Sequence, residues 1–112
     1  MDDLENLLLL DGEVFLLDNG YWVKFEAKRV EPSREIPHGL RYSLTLHDRT
    51  NGRVIGYDNA HSFRPRHARY GARKETWDHL HKRMEVFPYE FESAVQLLED
   101  FWQSVEMYMK HH

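Results

Sequence analysis

The chain has no cysteine among its 112 residues. That excludes a disulfide framework, a thiolate zinc site and a thiol nucleophile, and it fits a reducing compartment. Long apolar runs are also missing. Leu7–Leu10, a run no other exceeds, is far short of the ~20 residues a membrane-spanning helix needs. Acidic Asp2, Asp3 and Glu5 stand where a secretory signal would be basic. The expectation is a cytoplasmic protein with no membrane association. No glycine-rich phosphate loop occurs either, because Gly12, Gly20, Gly39, Gly52, Gly56 and Gly71 are scattered among turns and strand ends. No Gly-x-Ser-x-Gly elbow or Ser-His-Asp signature is present. What the chain does have is aromatic residues. Six Phe, six Tyr and three Trp are too many large apolar groups for a disordered chain, and the length suits one domain, residues 1–112, around one core.

The net charge of −4 hides an asymmetry. Residues 1–20 carry six acids and no Lys or Arg, and residues 84–112 carry six acids against Lys110 alone. Between them, residues 61–83 hold Arg64, Arg66, Arg69, Arg73, Lys74, Lys82 and Arg83 against Glu75 and Asp78, a net of +5. A basic block in an acidic protein concentrates positive potential where it can meet phosphate. A solvated loop, or one neutralised by the acidic ends, is the competing reading.

Hydrophobic periodicity orders the rest. Tyr21–Val30 alternates, with Tyr21, Val23, Phe25 and Ala27 on one face and Lys24, Glu26 and Lys28 on the other, the pattern of a half-buried strand. Glu13–Leu17 reads as a strand before it, joined through the turn Asp18-Asn19-Gly20, and residues 4–10 suit a short helix. Arg41–Asp48 is the next strand, with Tyr42, Leu44 and Leu46 sharing a face. Asn51-Gly52 then predicts a two-residue hairpin turn and a return over Arg53–Asn59. That turn would set Leu46 opposite Tyr57 and Thr45 opposite Asp58. Ser62–Lys74 reads as a basic loop, and Glu75–Lys82 as a strand with Trp77, His79 and His81 on one face. Ser93 with Gln96 forms a capping-box pattern ahead of Ala94, Leu97, Leu98, Phe101, Val105 and Met109 at helical spacing. The expected fold is α+β: an antiparallel meander of four to five strands with a C-terminal α-helix packed on one face.

The polar candidates gather in Tyr57-Asp58-Asn59-Ala60-His61 and in Trp77-Asp78-His79-Leu80-His81. Histidine gives and takes protons near neutrality. RNA can be cleaved without metal when the 2′-hydroxyl attacks its own phosphate, given a base, an acid and a cation on the phosphorane. Plain turn residues and surface histidines are the structural alternative. His79-x-His81 on a strand also places two imidazoles together, and Asp58 or His61 would complete a metal site. A lone His-x-His is weak, so no metal and no cofactor are assigned. Trp77, Tyr70 and Phe63 near the basic block offer stacking surfaces for unpaired bases.

Gly56–His61, Thr76–Lys82, Pro88-Tyr89-Glu90-Phe91-Glu92-Ser93 and Leu97-Leu98-Glu99-Asp100-Phe101 occur in that order. With Gly20–Val30 and His38–Asp48, this ordered set resembles the TumE family, the toxin component of a bacterial toxin–antitoxin pair. The resemblance implies a toxin with a cognate cytoplasmic antitoxin. Carried across by motif, it points to Asp58, Asn59, His61, Asp78, His79 and His81, with Arg41 and Tyr42 from the preceding strand. It leaves Tyr89, Phe91, Asp100 and Phe101 to structure. The chain departs from the family pattern by its long Arg-rich segment between His61 and Trp77.

The combined expectation is an RNA-directed toxin, a metal-independent ribonuclease. Asp58, His61, His79, His81 and Arg41 are its catalytic candidates. Asn59, Tyr42, Asp78, Trp77, Arg64, Arg66, Arg69 and Arg73 are its substrate-binding candidates. The alternative is a non-enzymatic protein whose basic loop engages nucleic acid or an acidic partner, with a metal-dependent hydrolase third. A homodimer through an open strand edge is a further expectation. His111 and His112 are given no role, since they are either native or the start of a purification tag.

Overall fold

A computed structural model of the chain describes residues 3–59, 78–83 and 85–112. The described elements are α1 (Asp3–Leu8), β1 (Val14–Leu16), β2 (Trp22–Arg29), β3 (Leu40–His47), β4 (Arg53–Asp58), β5 (His79–Lys82), β6 (Glu85–Pro88) and α2 (Ala94–His111). The strands form one antiparallel sheet in the order β1-β2-β3-β4-β5-β6, a meander. The α+β expectation holds, with a correction: the sheet has six strands, not four to five. β6 escapes a reading by periodicity because it is four residues long, exposed throughout and ends in Pro88. It also folds back through Arg83 at φ 54°, where neither Gly nor Asn announces a turn.

The alternation in β2 and β3 sets the core. Val23, Phe25, Ala27, Leu40, Tyr42, Leu44 and Leu46 all point to the face covered by the helices, where Leu7 of α1 and Ala94, Leu97, Phe101 and Val105 of α2 are buried. Ser93 caps α2, its Oγ accepting from the Gln96 N–H at 3.0 Å. The Gln96 side chain donates forward to Asp100 at 2.8 Å. Asp100 also accepts from the Tyr89 hydroxyl at 2.6 Å, while the Tyr57 hydroxyl sits 2.6 Å from Ser104 Oγ. These contacts fix the helix over β4. Burial and Asp100 both push the Tyr89 phenol pKa up, so the phenol stays a donor.

The β3–β4 register also corrects the sequence-based expectation. Leu46 pairs with Ile55 and Leu44 with Tyr57, while Asp58 faces Ser43 rather than Thr45. The reason lies in the turn. Asp48 Oδ1 accepts from the Thr50 and Gly52 N–H groups and from the Thr50 hydroxyl, at 2.9, 3.0 and 2.7 Å. The Asp48 N–H then donates to the Gly52 carbonyl at 2.9 Å, and Asn51 takes the left-handed position at φ 69°. This is a three-residue loop, not a two-residue one. An irregularity follows, His47 pairing with Arg53 while Leu46 pairs with Ile55. For the body of the ladder the shift is two residues, so the faces are preserved.

Candidate functional site

The face of the sheet opposite the helices carries the second set of alternating positions. On β4 these are Arg53, Gly56 and Asp58, and on β5 they are His79 and His81. Asp58 pairs directly with His79, and Gly56 pairs with His81. His79 Nε2 lies 2.7 Å from Asp58 Oδ1, and His81 Nε2 lies 3.1 Å from Asp58 Oδ2. One carboxylate therefore takes an imidazole on each oxygen, one straight across the ladder and one on the diagonal. The diagonal contact is open because Gly56 places no side chain in front of His81. The two rings meet edge to face at 4.7 Å. Asp58 and His79 are buried, at 7% and 4% exposure. Burial lowers the His81 pKa despite the attraction of Asp58, which favours its neutral imidazole.

A cation borders this cluster. Arg53 Nη1 is 4.0 Å from Asp58 Oδ2. Its side chain lies across Gly56, where an added Cβ would come within 3.3 Å of Arg53 Cδ. Sequence reasoning missed Arg53 because its position depends on the irregularity between Leu46 and His47. Arg41 is exposed on the same face of β3. It stands two residues from Ser43, the residue paired with Asp58, so it is a diagonal neighbour of the site.

Asp78, next to His79 in sequence, points to the other side. Its Oδ2 accepts from the Tyr42 hydroxyl at 2.8 Å and lies 3.0 Å from His38 Nε2. His38 Nδ1 accepts from the Leu40 N–H at 3.2 Å, so Nε2 bears the proton and donates to Asp78. The His38 ring stacks on Phe91 at 3.9 Å. Burial, reinforced by Asp78, drives the Tyr42 pKa upward and keeps its hydroxyl protonated. Asn59, fully buried, donates to the Leu40 carbonyl at 2.6 Å and accepts from the Tyr42 N–H at 3.0 Å, extending the β3–β4 ladder with a side chain. His38 was not legible as a partner, since nothing local in Pro37-His38-Gly39 points to a residue 40 positions away.

The structure thus divides the candidates. Asp58, His79 and His81 converge on the open face, with Arg41 nearby. Tyr42, Asp78 and Asn59 are buried on the helix side and engaged with protein partners. His61, Arg64, Arg66, Arg69, Arg73 and Trp77 lie outside the described residues. Among the described residues no helix is long and apolar enough to cross a membrane.

No curated protein and no solved structure matches the chain. A family model described as Toxin TumE matches residues 4–109. Its span takes in the sheet, both carboxylate–histidine clusters and nearly all of α2, and on that match the chain belongs to the TumE toxin family.

Proposed function

We propose that this toxin acts on RNA as a metal-independent ribonuclease whose chemistry is carried by His79 and His81 with Asp58, and that a cognate antitoxin holds it silent in the cytoplasm. The observation that carries the reading is the buried carboxylate with one imidazole on each oxygen, 2.7 and 3.1 Å away, on the face free of helices among the described elements.

The chemistry follows from that geometry. With each Nε2–H turned to Asp58, the carboxylate fixes both tautomers and orients both rings, as a buried Asp does for a catalytic histidine. One imidazole takes the proton of the 2′-hydroxyl as the O2′–P bond forms. The other enters the step as the imidazolium and gives its Nδ1 proton to the 5′-oxygen as the P–O5′ bond breaks; for His79 this requires the substrate to reach an Nδ1 that is buried in the structure. The products are a 2′,3′-cyclic phosphate and a 5′-hydroxyl, so atoms and protons balance without water in the first step. Arg53, beside Asp58, and Arg41, its diagonal neighbour, are placed on this face to meet the charge building on the phosphorane. The positive segment 61–83 adds a net attraction between the chain and a polyanion.

Induced expression of the wild type beside His79→Ala/His81→Ala, with growth followed and total RNA inspected, tests the proposal. Growth arrest with new RNA ends in the wild type, and neither in the folded double variant, is the expected result. Arrest by both proteins with intact RNA would instead favour a toxin that works by binding. In that case, neutralising Arg64, Arg66, Arg69 and Arg73 should matter more than removing histidines, with steep salt dependence.

A further inference from the structure

We propose that Asp58, His79 and His81 form a binding site for one divalent transition-metal ion of the zinc class, and that the bound ion switches the acid–base site off. The first half stands on geometry alone. The second rests on the functional reading above.

Three features carry it. The donor set, two imidazoles and a carboxylate, is one that zinc-class ions take, and three protein ligands leave one coordination position open. The donors are already gathered: one ligand atom from each residue lies within 4.8 Å of the other two. In a tetrahedral site with bonds of about 2.0–2.1 Å, neighbouring ligand atoms stand roughly 3.3–3.4 Å apart. The two contacts to Asp58, 2.7 Å to Oδ1 and 3.1 Å to Oδ2, run to different oxygens, so on binding one oxygen the shorter contact lengthens by a few tenths of an ångström while a pair as far apart as 4.8 Å closes by roughly 1.4 Å, a side-chain adjustment. The set is also held by the fold. His79 and His81 alternate on one strand, and Asp58 is register-paired with His79 on the next, so the ligands need little ordering on binding. This departs from the expectation of no metal, which rested on an isolated His-x-His. Of the two residues the sequence offered to complete that pattern, Asp58 and His61, the structure brings Asp58 to it.

The consequence for catalysis follows from the ligand atoms. An ion held through Nε2 of both rings replaces both Nε2 protons and separates the imidazoles from Asp58. It takes away the arrangement that fixes their tautomers for proton transfer. One residue opposes the ion, since the Arg53 guanidinium sits 4.0 Å from Asp58 Oδ2. Removing that charge should tighten metal binding a fewfold, the size expected of a partly exposed ion pair.

The test is titration of the tag-free full chain with Co²⁺, read by visible absorption, and with Zn²⁺, read by calorimetry. Wild type should take up one ion per chain. His81→Ala, in which a side chain 15% exposed is truncated and folding is checked by circular dichroism, should weaken uptake by two orders of magnitude or more. Loss of a mere outer-shell partner already costs about 10–100-fold. Arg53→Gln should bind a fewfold tighter, and His111→Ala/His112→Ala should bind as wild type does. No saturable uptake, uptake unchanged in His81→Ala, or uptake lost with the terminal histidines would overturn the site. RNA cleavage that falls with one equivalent of Zn²⁺ and returns with chelator supports the switch. Cleavage that rises with the ion overturns the switch, and the metal-independent reading with it, while the uptake data still decide the site.

Discussion

Asp58 and Asp78 make the same kind of cluster, a buried carboxylate with histidine, on opposite faces of one sheet. Their histidine partners show what separates them. His38 is tied at both ring nitrogens, donating to Asp78 and accepting from Leu40, and is stacked on Phe91, while Tyr42 closes the remaining side. Nothing in that arrangement is left to exchange a proton with a ligand. It joins the loop before β3, β3 itself and the start of β5. His79 and His81 instead share a single carboxylate on the open face, bordered by Arg53 and Arg41. The residue types are alike, so composition does not decide which cluster is closed by protein partners and which stands on the open side. The face does. Because successive residues point to opposite sides of a sheet, Asp78 bonds to Tyr42 and His38 on the helix-covered side while its neighbour His79 stands on the open face.

That contrast predicts a crossed pattern of variants. The largest effect expected is from Asp58→Asn, which should lower RNA cleavage by about 10²-fold or more through loss of histidine orientation, with little change in melting temperature. Comparing cleavage rates with thermal melts checks this. Asp78→Ala should do the reverse. It leaves the Tyr42 hydroxyl and the His38 N–H without their acceptor, costing about 2–4 kcal/mol and lowering the melting temperature by about 10 °C. Protein that remains folded should still cleave. A large activity loss in well-folded Asp78→Ala would break the comparison.

Smaller substitutions sharpen it. Tyr42→Phe removes one donor to Asp78 and should cost about 1–2 kcal/mol in a denaturant titration, with cleavage by the folded protein unchanged. Gly56→Ala puts a Cβ against the Arg53 side chain, the movable partner at 3.3 Å, so stability should change by less than about 1 kcal/mol. Cleavage should drop severalfold as Arg53 is pushed off the site.

The smallest effect concerns the β3–β4 turn. The Thr50 hydroxyl, then the Gly52 N–H, hold the Asp48 carboxyl below its ordinary range. A folded pKa depressed in this way contributes stability above the unfolded value that is lost as the pH falls through the folded one. Thr50→Ala should raise the Asp48 pKa in an NMR titration and reduce the loss of stability on acidification.

Much of this was legible from the residues. Strict alternation in Tyr21–Val30 and Arg41–Asp48 fixed which side chains enter the core, and Ser93 with the apolar spacing after it marked α2. His79 and His81 were readable as one face of a strand. Asp58 was named as a residue that would complete a site with them, but its direct pairing with His79 was not readable, because it depends on the β4–β5 register across a basic segment that carries no periodicity. Nor was the division of the candidates between the two faces, since the placement of Asp78 is set by His38 and Tyr42, which come from an irregular loop and a distant strand. The Asn51-Gly52 signal misled in detail, because Asp48 draws three donors to one oxygen and closes a longer loop. The preserved parity of the shift is why the faces survived.

The most direct measurement is induced expression of Asp58→Asn, with growth, total RNA ends and the melting temperature of the purified protein read together. The account predicts a chain that melts close to wild type, causes no growth arrest and leaves RNA intact. A folded Asp58→Asn chain that arrests growth and cleaves RNA as the wild type does would contradict it.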